Sequence, residues 1–138
     1  MGQMAIGSSY DDPLRLRDLL GRASNLAREH ALSSVVVGVA GAEGDLLFPE
    51  VIDYFESALR VDDAIFRMTR ERAILVLADV NEAQAREIVE RMVNEFRERF
   101  TSAVDPTIGL GYFEVSPDAN EVSVKQVLPA VFDRSLSS

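Results

Sequence analysis

Two short apolar runs, Ala64 to Met68 and Ala73 to Ala78, stand on either side of the polar tetrapeptide Thr69-Arg70-Glu71-Arg72. Runs of this length divided by a few polar residues read as a β-hairpin. Tight hairpins favour Asn-Gly, Asp-Gly or Gly-Gly because their turns call for positive φ. This turn has no glycine and three charged residues. Its setting constrains the fold. Before it, Leu47, Val51, Ile52, Phe55 and Leu59 recur at helical spacing over about 46–60, with Pro49 tolerable only near the helix start. After it, Ala85, Ile88, Val89, Met92, Phe96 and Phe100 do the same over about 82–100, behind an Asn81-to-Gln84 capping pattern. An antiparallel hairpin between two amphipathic helices argues against a doubly wound parallel sheet and for an α+β fold.

The remaining segments fit that frame. Pro13 suits the first turn of a helix with Asp11 and Asp12 as caps, and Leu16, Leu19, Leu20, Ala23, Leu26 and Ala27 carry the helix to about residue 30. Val35 to Ala40 is continuously apolar, the pattern of a strand buried on both faces. Residues 107–115 read as another strand, whose Gly109 and Gly111 share one face and invite a close neighbour. A last short helix, about 122–134, holds Pro129 and is expected to kink or begin late. The order is α-β-α-β-β-α-β-α. It predicts a mixed, mainly antiparallel central sheet of four to five strands with helices packed on it. Residues 1–10 read as a linker or a remnant of cloning, and residues 11–138 as one domain.

Composition narrows the function. The chain has 138 residues, is 47% hydrophobic and 27% charged, and carries a net charge of −9, which disfavours binding to nucleic acid or to anionic lipid. There is no cysteine, so disulfides, thiol catalysis and cysteine zinc sites are excluded, in keeping with a cytoplasmic protein. No apolar run approaches the ~18 residues of a membrane span. The one histidine, His30, falls near a helix C-terminus and reads as a cap or surface residue. No Gly-x-Ser-x-Gly or P-loop pattern is present.

The order of these segments, together with several motifs, resembles the GGDEF domain of diguanylate cyclases. Arg60-Val61-Asp62-Asp63 lies five residues ahead of Thr69-Arg70-Glu71-Arg72-Ala73, where the family has Arg-x-x-Asp and then a Gly-Gly-Asp/Glu-Glu-Phe hairpin. "AILVLADV" matches the strand that follows the hairpin, and Thr107-Ile108-Gly109 matches a family Thr-x-Ser-Ile-Gly strand. The resemblance spans about residues 12–132 and implies a nucleotide-cyclase-like fold with a ferredoxin-like core, in bacterial signal transduction. The family condenses two GTP into cyclic di-GMP with divalent metal, using carboxylates from the first strand and from the hairpin. Here the first-strand positions hold Gly38 and Ala40, and the degenerate hairpin (Thr69, Arg70, Glu71, Arg72, Ala73) keeps one carboxylate, Glu71. The interval from Ala40 to Arg60 is shorter than in the family. The short helix carrying one base contact is therefore expected to be missing, leaving Asp45 without its partner. The resemblance thus implies a domain that is not an enzyme and holds no metal or cofactor.

The Arg-x-x-Asp motif is, in the family, an inhibitory site for cyclic di-GMP. Arg60 and Asp63 are candidate ligand residues, with Arg86 or Arg91 as the further arginine that such a site takes. The same pair also reads as purely structural, an arginine in the last turn of a helix and an aspartate in the turn beyond it. The sequence therefore leaves a protein-interaction or regulatory module, working through a protein partner or self-association, beside a cyclic di-GMP receptor. A working cyclase is the reading its residues disfavour.

Overall fold

The computed structural model describes residues 11–100, 108–118 and 122–136. Its elements run α1 (Pro13–His30), β1 (Ser34–Gly41), α2 (Phe48–Ala58), β2 (Ala64–Thr69), β3 (Arg72–Ala78), α3 (Glu82–Arg99), β4 (Ile108–Val115) and α4 (Val124–Leu136). The four strands form one sheet in the order β2-β3-β1-β4 with every neighbouring pair antiparallel, so the sheet is not mixed. The segment from β1 to β4 is a β-α-β-β-α-β unit, the ferredoxin-like arrangement. Thr107 and residues 1–10 lie outside the described residues.

β1 explains why its sequence lacks alternation. Val35, Val37 and Val39 face α2 and α3, where they meet Val51, Phe55 and Val89. Val36 and Ala40 face α1 and α4, where they meet Leu20, Ala23 and Val131. Val35, Val36, Val37 and Val39 are each 0% exposed. The sheet is thus the middle of three layers, and only a strand apolar on both faces can occupy its centre.

Local chemistry sets the helix ends. Asp12 accepts a hydrogen bond from the Leu14 N–H and Pro13 opens α1. Asn81 and Gln84 form a reciprocal capping box at the start of α3. α2 is shorter than the periodicity suggests, because Pro49 belongs in its first turn and Leu59 is already extended at its end. α4 begins two residues later than the pattern predicts, and Pro129 lies inside it. No described helix is long and apolar enough to cross a membrane.

α4 comes very close to the sheet at two paired glycines. Gly38 of β1 and Gly111 of β4 are register partners, and both lie beneath Val131. A Cβ on Gly38 would stand 2.8 Å from Val131, and one on Gly111 would overlap the Val131 carbonyl. Gly21, within α1, has nothing within 4 Å of the same position. Gly111→Ala is therefore expected to cost about 1–3 kcal/mol, since backbone must retreat. Gly21→Ala should add about 0.5–1 kcal/mol by removing helix-interior glycine. Urea unfolding of the two variants beside the parent checks both signs.

Candidate functional site

The β2–β3 turn closes without glycine. Thr69 pairs with Arg72, leaving Arg70 and Glu71 as the loop, and neither has positive φ. Turns of that kind do not match the natural twist of a hairpin. The structure meets this with a register shift between Arg67 and Thr69 and with the Thr69 hydroxyl, which accepts the Glu71 N–H at 3.3 Å. The turn does not protrude freely. Gly41 donates its N–H to the Glu71 carbonyl at 2.7 Å, and Gly44 donates to Glu71 Oε2 at 3.4 Å. Arg72 lies over the Phe132 ring at 5.1 Å. Arg67 donates to Asp53 and Glu56 of α2. Between the turn and the start of α2 is a cavity of about 320 Å³, with Phe48, Ile52 and Ala73 as apolar lining and Arg70 and Arg72 among its basic residues.

These residues do not fit a divalent cation. Magnesium takes oxygen ligands in octahedral geometry, with carboxylates supplying the protein's share. Gly38 and Ala40 offer none, and Glu71 receives a main-chain N–H from Gly44 while Arg72 follows it in the chain. Asp45 does not lie idle: its Oδ1 accepts the Leu47 N–H at 2.8 Å and steadies the approach to α2.

At the opposite end of the sheet, Arg60 and Asp63 form a compact staple. Asp63 Oδ2 accepts from the Arg60 N–H and Nε, and Oδ1 accepts from Arg60 Nη2 and the Ala78 N–H. Arg60 Nη2 also donates to the Ala78 carbonyl at 2.6 Å. The Asp63 side chain is 2% exposed and that of Arg60 52%. The hydrogen bonds that Arg60 donates to the Asp63 carboxylate lead the effects that raise the Arg60 pKa further above its usual value, so the guanidinium remains charged. A cavity of about 390 Å³ opens beside the pair, and its other arginines are Arg15 and Arg22 of α1.

Residues 41–129 match the family described as "Diguanylate cyclase, GGDEF domain". The chain belongs to the GGDEF family. Solved structures agree on the fold. PelD of Pseudomonas aeruginosa matches at 18% identity with a TM-score of 0.69, over 97% of this chain and 50% of that one. The diguanylate cyclase SiaD of the same organism, in complex with its activator SiaC, matches at 19% and 0.69, over 97% and 59%. The GGDEF domain of DgcB from Caulobacter crescentus, in complex with cyclic di-GMP, matches at 14% and 0.68, over 89% and 85%. This GGDEF domain therefore spans about half of the PelD chain in that structure, which runs from residue 158 to the C-terminus, and under two thirds of the SiaD chain. No curated protein matches the chain.

The structure brings Arg60 and Asp63 of this GGDEF domain together but gives them different arginine neighbours from those the sequence suggests. Arg86 is turned toward β4, where it lies over the Tyr112 ring at 4.3 Å and pairs with Glu82. Arg91 is exposed on α3. The arginines lining the cavity come instead from α1, on the stripe Arg15, Leu19, Arg22. That spacing is legible, but the packing that carries α1 to the end of α2 is not. Asp63→Ala would orphan the part-buried Ala78 N–H and is expected to cost about 1–3 kcal/mol. Asp62→Ala, at an exposed neighbour, should stay within about 0.5 kcal/mol of the parent. Thermal and denaturant melts of the pair distinguish the staple from general loss of charge.

Proposed function

We propose that this GGDEF domain makes no dinucleotide and works as a regulatory module through its contacts, in the cytoplasm. The observation that carries this reading is the state of the central strand. Phosphoryl transfer between nucleotides needs metal to neutralise charge on the attacked group and to activate the attacking hydroxyl. The two β1 positions assigned to that task hold glycine and alanine. Gly38 has no space for a side chain, and Ala40 is 7% exposed. A lone carboxylate at Glu71 does not replace them. Support for a contact role comes from SiaD, a relative known in complex with an activator protein. Incubation with GTP and Mg²⁺, followed by chromatography of the nucleotides, is expected to show no cyclic di-GMP above a protein-free control. Product that scales with protein concentration overturns the reading.

A second reading rests on the cavity beside Arg60. Arg15, Arg22 and Arg60 converge on it, and guanidinium forks pair with phosphate or with the Hoogsteen edge of guanine. DgcB, a relative, is known in complex with cyclic di-GMP. On this reading the domain is a receptor that kept its sensor. Calorimetric titration with cyclic di-GMP should then give saturable heat. Arg22→Ala should weaken binding about tenfold, equivalent to about 1.4 kcal/mol. Absence of heat, with no rise in melting temperature at high ligand, leaves the contact module alone.

A further inference from the structure

The cavity between the hairpin turn and α2 differs in charge from the molecule around it. The chain carries a net charge of −9, yet the charged residues lining this space are Arg67, Arg70 and Arg72, with no acid among them. Glu71, the acid of the turn, is held elsewhere. Its carboxylate accepts the Gly44 N–H and its carbonyl the Gly41 N–H. Those bonds also fix the turn, so the cavity is formed before any ligand arrives. The three arginines are not equivalent. Arg67 is engaged by Asp53 at 3.1 Å and Glu56 at 2.7 Å. Arg72 lies over Phe132, on the face of the sheet that α4 covers. Arg70 is exposed, and among the described residues its guanidinium has no partner. Beside it the Thr69 hydroxyl accepts the Glu71 N–H and still has its own proton to donate. One guanidinium fork and one hydroxyl make an anchor for a single carboxylate.

Behind this anchor the lining is apolar. Phe48 and Ile52, one turn apart on α2, border the cavity together with Ala73 of β3. Ala73, Leu75 and Leu77 belong to one face of β3 and to one core. The leucines fill the layer beneath the helices, and the short side chain of Ala73 leaves the space unfilled. Its volume of about 320 Å³ falls within the range of small-molecule sites. At the ~30 Å³ that a water occupies, it has room for about ten non-hydrogen atoms. That is far fewer than a nucleoside triphosphate holds.

We infer that this cavity binds a small aliphatic monocarboxylate, its carboxylate on Arg70 and Thr69 and its apolar body against Phe48, Ile52 and Ala73. Both halves of the site are needed. The anchor alone is an exposed arginine, which water serves equally well, and the apolar lining alone does not select an anion. The site lies apart from the cavity beside Arg60 and requires no metal. It gives the regulatory reading a small-molecule input, because a bound ligand would tie the turn to the start of α2. The inference does not depend on whether catalysis is lost, which GTP turnover reports separately.

The probe is octanoate, titrated without GTP or Mg²⁺ and followed by amide NMR shifts. Saturable shifts are expected within residues 48–52 and 67–73, with a dissociation constant of roughly 0.1–1 mM. Acetate, which lacks the body, and octanol, which lacks the charge, should each give no saturable shift there. Arg70→Ala should weaken octanoate about tenfold, while Arg91→Ala, the same loss of charge on exposed α3, should leave it unchanged. Ala73→Leu should fill the cavity and abolish binding. Arg70→Ala, at an exposed turn position, decides the matter if Ala73→Leu fails to fold. Shifts that do not saturate, or that fall on other elements, overturn the inference. So does acetate or octanol matching octanoate, an Arg70→Ala or folded Ala73→Leu variant that binds as the parent does, or an equal loss in Arg91→Ala.

Discussion

The close seat of α4 on two glycines governs much of this molecule. Gly38 and Gly111 face each other across the β1–β4 ladder and leave a notch for the backbone of Val131. Side chains at either position would lift α4 away and open the second of the two cores, in which Val127, Val131 and Phe132 pack against Leu20 and Val36. The next residue, Phe132, carries Arg72 on its ring, so the depth at which α4 sits also helps to fix one side of the hairpin turn. The outer layer, the central strand and the turn are thus linked through a contact that depends on the absence of side chains.

The turn itself shows how a hairpin survives the loss of turn-forming residues. Glycine would supply positive φ at no steric cost. Arg70 and Glu71 do not adopt it, and the strain that this places on the strand twist is taken up by the shift at Met68 and by the Thr69 hydroxyl. Two main-chain donors from the β1–α2 segment then hold Glu71 in place. A loop end fixed at this many points is suited to being a defined surface, and less suited to closing over a substrate.

What could be read from the sequence followed from periodicity. The β1 run, the stripes of α1 and α3, and the hairpin boundaries are all local patterns, and each falls within a residue or two of its observed place. The glycines of residues 107–115 announced a close neighbour, and Val131 is that neighbour at Gly111. Features that arise from packing were hidden. Nothing in the segment 64–69 says that Asp11 and Arg15 will cap its outer edge, since those contacts span 50 or more positions. For the same reason the arginines beside Arg60 came from α1 and not from Arg86 or Arg91. The retained Arg-x-x-Asp was visible, but its role as a staple to Ala78 required knowing where β3 ends.

That staple also restricts what the neighbouring cavity can recognise. A carboxylate offers about four lone-pair sites. Asp63 fills them with the Arg60 N–H, Nε and Nη2 and with the Ala78 N–H, and its side chain is almost wholly buried. It therefore has no acceptor left for the N–H edge of a base. The face turned to solvent is the guanidinium of Arg60, with Arg15 and Arg22 on the same cavity. A ligand meeting that surface encounters cations, set against the carboxylates of Asp18 and Glu56 on the same rim. Recognition there must run through phosphate or another acceptor-rich group, because a donor edge would find its natural partner already engaged.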